Sequence, residues 1–204
     1  MNTILAVDDH PIVLEGLKKF LQKNGYNVLT ASTPKEAVNL ATNVPAINAY
    51  VIDMALNEPA DGLTLAKTLQ EKDIRRPTVI YTMHEELWNI RAMEMANVEG
   101  IVLKGEDLDE LLQAIRMVEK GKTYRSPHFH NRYSSVMKSE GILSTLDTKV
   151  LYLLSTGNSS REIAKELFIS EKAVEYHRSN ILRKLNSRTM NEAIIRAMHL
   201  GILK

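Results

Sequence analysis

The stretch ILAVDDHP, residues 4–11, runs four apolar residues straight into two carboxylates, a histidine and a proline. Its apolar part has no polar face, so it reads as a strand covered on both sides, as in a buried parallel sheet. From Pro11 to Lys23 the period changes: Val13, Leu14, Leu17, Phe20 and Leu21 recur at helical spacing, and Gly25 ends the helix. The same alternation repeats outward. Apolar runs at Thr3–Val7, 28–31, 49–52, Thr78–Thr82 and Gly100–Leu103 are separated by helical periods at 34–41, 63–70, 87–96 and 107–119. Five strand–helix alternations predict an α/β domain over residues 1–120, an open, doubly wound, five-stranded parallel sheet with right-handed crossovers. Such sheets gather functional groups at the carboxyl ends of their strands.

The rhythm breaks at residues 121–141, rich in Ser, Tyr, His, Asn and Arg, which read as a linker with a short helix around 133–138. Residues 142–204 show only helical periods and read as a small all-α domain. Charge divides along the same line. Residues 1–120 carry 12 Lys+Arg against 18 Asp+Glu, a balance of −6, and residues 121–204 carry 14 against 7, a balance of +7. A basic half suits a polyanion such as nucleic acid. Cysteine is absent, which excludes disulfides and thiolate metal sites and fits the cytoplasm. No apolar run is long enough to span a bilayer and no secretory signal opens the chain, so no membrane partner is expected.

The predicted strand ends carry Asp8 and Asp9, Asp53, Thr82 and Lys104 in that order. A parallel sheet brings these ends to one edge. Carboxylates so crowded repel unless a cation intervenes. An oxygen-rich set without cysteine suits Mg²⁺, while Lys104 and Thr82 supply a charge and a hydroxyl for phosphoryl oxygens. Phosphoryl transfer needs little more than an in-line nucleophile, a metal and such charge stabilisation. Residues 1–120 resemble the receiver domain of two-component response regulators of the NarL/FixJ type. The motifs are ILAVDDHP at 4–11, YVIDM at 50–54, VIYTM at 79–83 and GIVLKG at 100–105. The resemblance implies that Asp53 is the phosphoacceptor. It implies that Asp9, Asp53 and the Ala55 carbonyl hold Mg²⁺, with Asp8 acting mainly through water. Thr82 and Lys104 would bind the phosphoryl group, and the switch position usually filled by an aromatic is Ile101. The chain departs from the family at Ile101, at Met83, where a smaller residue is common, and in the loop from Leu56 to Gly62, one residue longer than usual.

In the second half, Ser159 to Leu167 reads as a helix with Ile163, Ala164 and Leu167 inward, and Phe168-Ile169 as a short apolar turn. Ser170 caps a second helix reaching about Leu185. Two helices joined by a tight turn in a basic domain suit a recognition helix in the major groove, and equally a plain helical bundle. Residues 159–188, SSREIAKELFISEKAVEYHRSNILRKLNSR, closely resemble the LuxR-type helix-turn-helix, and the resemblance extends over 142–203, with Asp147 where Glu is usual and Ala173 where Thr is common. It implies that Glu175, Tyr176 and Ser179 face base edges and that Lys172, Arg178, Arg183 and Lys184 contact phosphates. The helix 191–199 resembles the family's dimerisation helix, through Asn191, Ile194, Ile195 and Met198. The joint expectation is a transcriptional regulator that binds double-stranded DNA as a homodimer and is switched when a sensor histidine kinase phosphorylates Asp53. The alternative is a DNA-binding regulator whose receiver-like domain is structural or ligand-gated. A dehydrogenase is disfavoured because no Gly-rich turn follows the first strand. An Asp-dependent phosphatase is disfavoured because Ala55 lacks a side chain for acid catalysis.

Overall fold

The structure, a computed structural model, describes residues 1–56, 61–139 and 142–203, without the side chains of 135–139. It divides into two compact units, Met1–Glu85 with Ala92–His130, and Glu86–Arg91 with Asn131–Lys204. Each is taken by itself below.

In the first unit the strands are β1 (Thr3–Val7), β2 (Asn27–Ala31), β3 (Ile47–Ile52), β4 (Thr78–Thr82), β5 (Gly100–Leu103) and β6 (Tyr124–Arg125). The helices between them are α1 (Pro11–Lys23), α2 (Pro34–Asn43), α3 (Gly62–Glu71), α4 (Leu87–Met95), whose first five residues are assigned to the second unit, and α5 (Leu108–Glu119). All neighbouring strands are parallel, in the order β2-β1-β3-β4-β5-β6. The order reverses beside β1, and β1, β4 and β5 are buried along their whole length, which explains their unbroken apolar runs. One side of the sheet packs on Leu14, Leu17 and Leu21 of α1 and on Leu111, Leu112, Ile115 and Val118 of α5. Each such side chain contributes roughly 1.5–3 kcal/mol by leaving water.

The sheet has six strands where the sequence pattern predicts five. Tyr124 and Arg125 pair with Gly100 and Ile101. Two residues are too short to show an alternation, and the strand exists because the edge of β5 has unpaired backbone groups to satisfy. Among the described residues of the expected linker, the helix is longer than the short one around 133–138. Pro127–Ser139 forms one 13-residue helix, α6. Glu106 ties its start to the β5–α5 loop, accepting from His128 N (2.9 Å), and Phe129 is buried.

The second unit contains α7 (Thr145–Ser155), α8 (Ser160–Glu166), α9 (Glu171–Lys184) and α10 (Met190–His199). Ser144, Ser159, Ser170 and Thr189 cap their starts, and the first two form reciprocal capping boxes with Asp147 and Glu162. Val150, Leu151, Ile163, Val174, Ile181, Ala193 and Ala197 fill the core. The turn between α8 and α9 passes through Phe168 at φ 55°, a left-handed conformation uncommon outside glycine. Phe168 is 96% exposed, so this apolar residue of the turn does not pack into the core.

Candidate functional site

Backbone hydrogen bonds align the carboxyl ends of the strands. Asp53 N donates to Val7 O (2.8 Å), Asp8 N to Ala31 O (3.2 Å) and Lys104 N to Thr82 O (2.7 Å). Residues 96 positions apart thereby meet. Lys104 Nζ lies 2.6 Å from Asp8 Oδ2 and 2.9 Å from Asp53 Oδ2, with all three side chains at most 9% exposed. Burial works against the Lys104 ammonium. Its hydrogen bonds to Asp8 and Asp53, and their negative charge, nevertheless hold its pKa above the ordinary lysine value. Thr82 is fully buried, and its hydroxyl accepts from His84 N at 3.2 Å.

Two carboxylate oxygens remain unsatisfied. Asp9 Oδ1 and Asp53 Oδ1 are buried with no hydrogen-bond partner. Ligand atoms of Asp8, Asp9, His10 and Asp53 all lie within 4.8 Å of one another. Buried oxygens without donors are costly, and a set made mostly of carboxylate oxygens is the chemistry that a dication satisfies. The pocket over Asp53, ≈ 420 Å³, is lined by His10, Val13, Asp53, Ala55, Tyr81, Met83, His84 and Lys104. Met83 is 67% exposed and so sits at its rim. Ile101 is completely buried in β5, in register with Ile80 and Arg125. With no polar atom in its side chain, it is a core residue and not a phosphoryl ligand. Residues 57–60 of the long loop lie outside the described residues.

Sequence reasoning passed over three contributors. Gly62 N donates to Met54 O at 2.8 Å, and a Cβ there would stand 1.9 Å from Asp53 O. Only glycine lets α3 start against the backbone of Asp53. A glycine among loop residues carries no signal of such an approach. Tyr81 lies under Lys104, whose Nζ is 5.6 Å from the ring centroid. His10 points into the acidic cluster from the start of α1, with Nδ1 3.2 Å from Asp8 Oδ1 and 2.8 Å from Asp9 Oδ1.

In the second unit, α9 presents Lys172, Glu175, Tyr176, Ser179 and Arg183 as exposed residues, while Val174 and Ile181 face the core. Tyr176 is 64% exposed, with its ring edge-to-face against His177. Several of the expected DNA contacts, Glu175, Arg178 and Lys184 among them, also have partners on other helices of the domain. Ser160 Oγ donates to Glu175 Oε1 (2.7 Å) and accepts from Arg178 Nη1 (3.0 Å), tying α8 to α9. Lys184 Nζ donates to Asp147 Oδ2 (2.8 Å), and His177 Nδ1 lies 2.8 Å from Asp147 Oδ1. Burial of Asp147 favours the neutral acid. Its hydrogen bonds from Lys184, His177 and Ser144 outweigh that and hold its pKa down at about 2. Lys184 therefore anchors the helix in addition to being a candidate phosphate contact. Beside it, a hollow of ≈ 520 Å³ between α9 and α10 is flanked by Arg183, Arg188 and Arg196. On α10, Ala193 and Ala197 are buried, Ile194 is half-buried, and Asn191, Ile195 and Met198 are exposed.

A parallel α/β domain with an acidic and lysine pocket at its carboxyl edge, joined to a helix-turn-helix domain, defines a phosphorylatable receiver coupled to a DNA reader. Comparison with known proteins agrees. The family model for the response regulator receiver domain matches residues 4–116, and that for bacterial regulatory proteins of the luxR family matches residues 141–197. The chain belongs to the response regulators, in the NarL/FixJ type that joins these two domains. It is 31% identical to the transcriptional regulatory protein RcsB of Escherichia coli, over 91% of this chain and 88% of the relative. It is 30% identical to the nitrate/nitrite response regulator protein NarP of the same organism, over 94% and 92%. Among solved structures it resembles the two-component response regulator RcsB in complex with DNA, at TM-score 0.64 and 25% identity, covering 100% of both chains. These relatives are transcriptional regulators, not enzymes.

Proposed function

We propose that the protein is a DNA-binding transcriptional regulator controlled by phosphorylation of Asp53. One observation carries the reading. The carboxylate of Asp53 is buried beside Asp8, Asp9 and Lys104, with one oxygen on the lysine and the other without a partner. A structural aspartate would be expected to have both oxygens satisfied.

The phosphoryl donor is a phosphohistidine on a sensor kinase. An Asp53 oxygen attacks phosphorus, the P–N bond breaks, and the imidazole leaves with the bonding pair. Lys104 then moves from the carboxylates to a phosphoryl oxygen, and the Thr82 hydroxyl, an acceptor from His84 N, donates its own proton to another. Asp9, Asp53 and the Ala55 carbonyl, with Asp8 through water, would hold Mg²⁺, which when bound would supply positive charge against the phosphoryl oxygens. The gain of charge shifts a two-state element and with it the DNA-binding state. The exposed residues of α9 enter the major groove, the docking expected of the second helix of a helix-turn-helix, and a solved relative that the chain resembles is an RcsB–DNA complex. Ile195 and Met198 on α10 form the face between two copies on DNA. No helix among the described residues is long and apolar enough to cross a membrane, in keeping with a cytoplasmic site of action.

Incubation with acetyl phosphate and Mg²⁺ should add one phosphoryl group, seen by intact mass, and the gain should vanish in Asp53→Asn. Selection of binding sites from random duplexes, with and without phosphodonor, should return half-sites about one helical turn apart, with affinity raised by the donor. A second reading has one observation in its favour: the aliphatic, buried Ile101 offers no ring to swing between states. In that reading the receiver unit is structural or ligand-gated. DNA affinity would then be the same for wild type and Asp53→Asn, with and without phosphodonor.

A further inference from the structure

We infer that His10 is a ligand of the acidic pocket's dication, through Nδ1, and that it tunes the pocket toward borderline dications such as Mn²⁺ over Mg²⁺. The inference rests on reading the pocket as a cation and phosphoryl site.

His10 is not a loose surface side chain over this pocket. Its N–H donates to Asp8 Oδ1 at 2.9 Å, and its carbonyl accepts from Val13 N and Leu14 N as the first turn of α1 forms. The backbone is therefore held from both sides. Pro11 at the helix start fixes the direction in which the chain leaves. The ring sends Nδ1 toward the carboxylates, and the side chain keeps 64% of its surface exposed.

The distances fit chelation. Nδ1 lies 2.8 Å from Asp9 Oδ1, yet that oxygen makes no hydrogen bond, so the approach is close without donor alignment. Two neighbouring ligands of an octahedral ion, each at about 2.1 Å, stand about 3 Å apart. Asp53 Oδ1 is the second buried oxygen without a partner, and Asp53 is 6% exposed. Asp8, Asp9, His10 and Asp53 can each offer an atom within 4.8 Å of all the others. The set is thus carboxylate oxygens plus one imidazole nitrogen.

Nitrogen in that set changes selectivity. Mg²⁺ is hard and prefers oxygen, so it gains little from imidazole, while affinity for an N-containing site rises from Mn²⁺ through Co²⁺ to Ni²⁺. With no cysteine in the chain, thiolates do not compete for these ions.

The full chain loaded with one equivalent of Mn²⁺ tests this by electron spin echo modulation. Wild type should show modulation from a directly bound ¹⁴N, changing to the ¹⁵N pattern when histidine is ¹⁵N-labelled, and Mg²⁺ should displace the ion. His10→Ala should lose the modulation and bind Mn²⁺ about tenfold more weakly, with Mg²⁺ affinity changed less than about twofold. Mn²⁺ that is released by Asp9→Asn but carries no ¹⁴N modulation overturns the role of His10 and leaves the pocket standing. Modulation that survives His10→Ala also overturns it, by assigning the nitrogen to another imidazole such as His84, which lines the same pocket. Mn²⁺ binding indifferent to both Asp9→Asn and Asp53→Asn overturns the pocket itself, and the inference with it.

Discussion

Asp53 is held by neighbours that differ in how they act on it. Lys104 acts by charge, across 2.9 Å between two largely buried side chains, where the interaction is stronger than at the surface. Gly62 acts by absence. A methyl group there would stand 1.9 Å from Asp53 O, so α3 or the end of β3 must move. Gly62→Ala should destabilise the chain by about 1–3 kcal/mol, the usual cost of overpacking. It should also slow phosphorylation by acetyl phosphate, since the displaced group is the nucleophile's own backbone. Urea denaturation and timed intact-mass measurements check both. Normal stability with normal phosphorylation would show that α3 yields without disturbing Asp53. His10 and Lys104 were both visible as residue types beside the acidic pair or after strand five. That Lys104 bridges Asp8 and Asp53 could not be read from the chain, because spacing along a sequence does not specify side-chain direction across a sheet.

At the scale of elements, the recognition helix is fixed by a charge buried outside it. Asp147 belongs to the capping box of α7 and is 1% exposed, while Ser144, His177 and Lys184 face it. Its folded pKa, about 2, lies below the ordinary 3.8. The stability it contributes is therefore fully present above the unfolded value and is lost as pH falls through the folded one. By linkage the contribution is roughly 2 kcal/mol. Chemical denaturation of wild type and Asp147→Asn should thus differ by about that amount at pH 6, and the difference should shrink toward zero between about pH 4 and pH 2. A difference that stays constant with pH would mean that packing, not charge, holds α7 to α9. The Ser170 cap and the helical periods of the second unit are local properties, and they are what the sequence reading used to place its helices. β6 and the full length of α6 are not local properties. Two residues become a strand because β5 offers them an open edge, and α6 begins where Glu106 accepts from His128 N.

The whole molecule places opposite charges in its two halves, −6 in residues 1–120 and +7 in the remainder. DNA affinity should fall at least tenfold between about 50 and 200 mM salt, with a log–log slope reporting the phosphates neutralised. Arg183→Ala should weaken binding to all duplexes alike and reduce that slope by about one. A fragment of residues 142–204 should bind non-specific duplex more tightly than the full chain at low salt, because the acidic half no longer repels the polyanion. Fluorescence anisotropy across a salt series reads all three, and a salt-independent affinity would remove the nucleic-acid assignment.

Legible along the chain are the alternating strands and helices of the first unit, the helical periods of the second, the charge division and the order of Asp8, Asp9, Asp53, Thr82 and Lys104. Periodicity, capping and net charge are carried by near neighbours, so they survive without knowledge of the fold. Packing sets the rest: Lys104 sits between Asp8 and Asp53, His10 turns toward the carboxylates, Gly62 must lack a side chain, and Lys184 is anchored by Asp147. Each of these is a distance of a few ångströms between atoms far apart in sequence or set by a side-chain torsion. Such distances follow from how strands register and helices pack, and that information exists only once the core has closed.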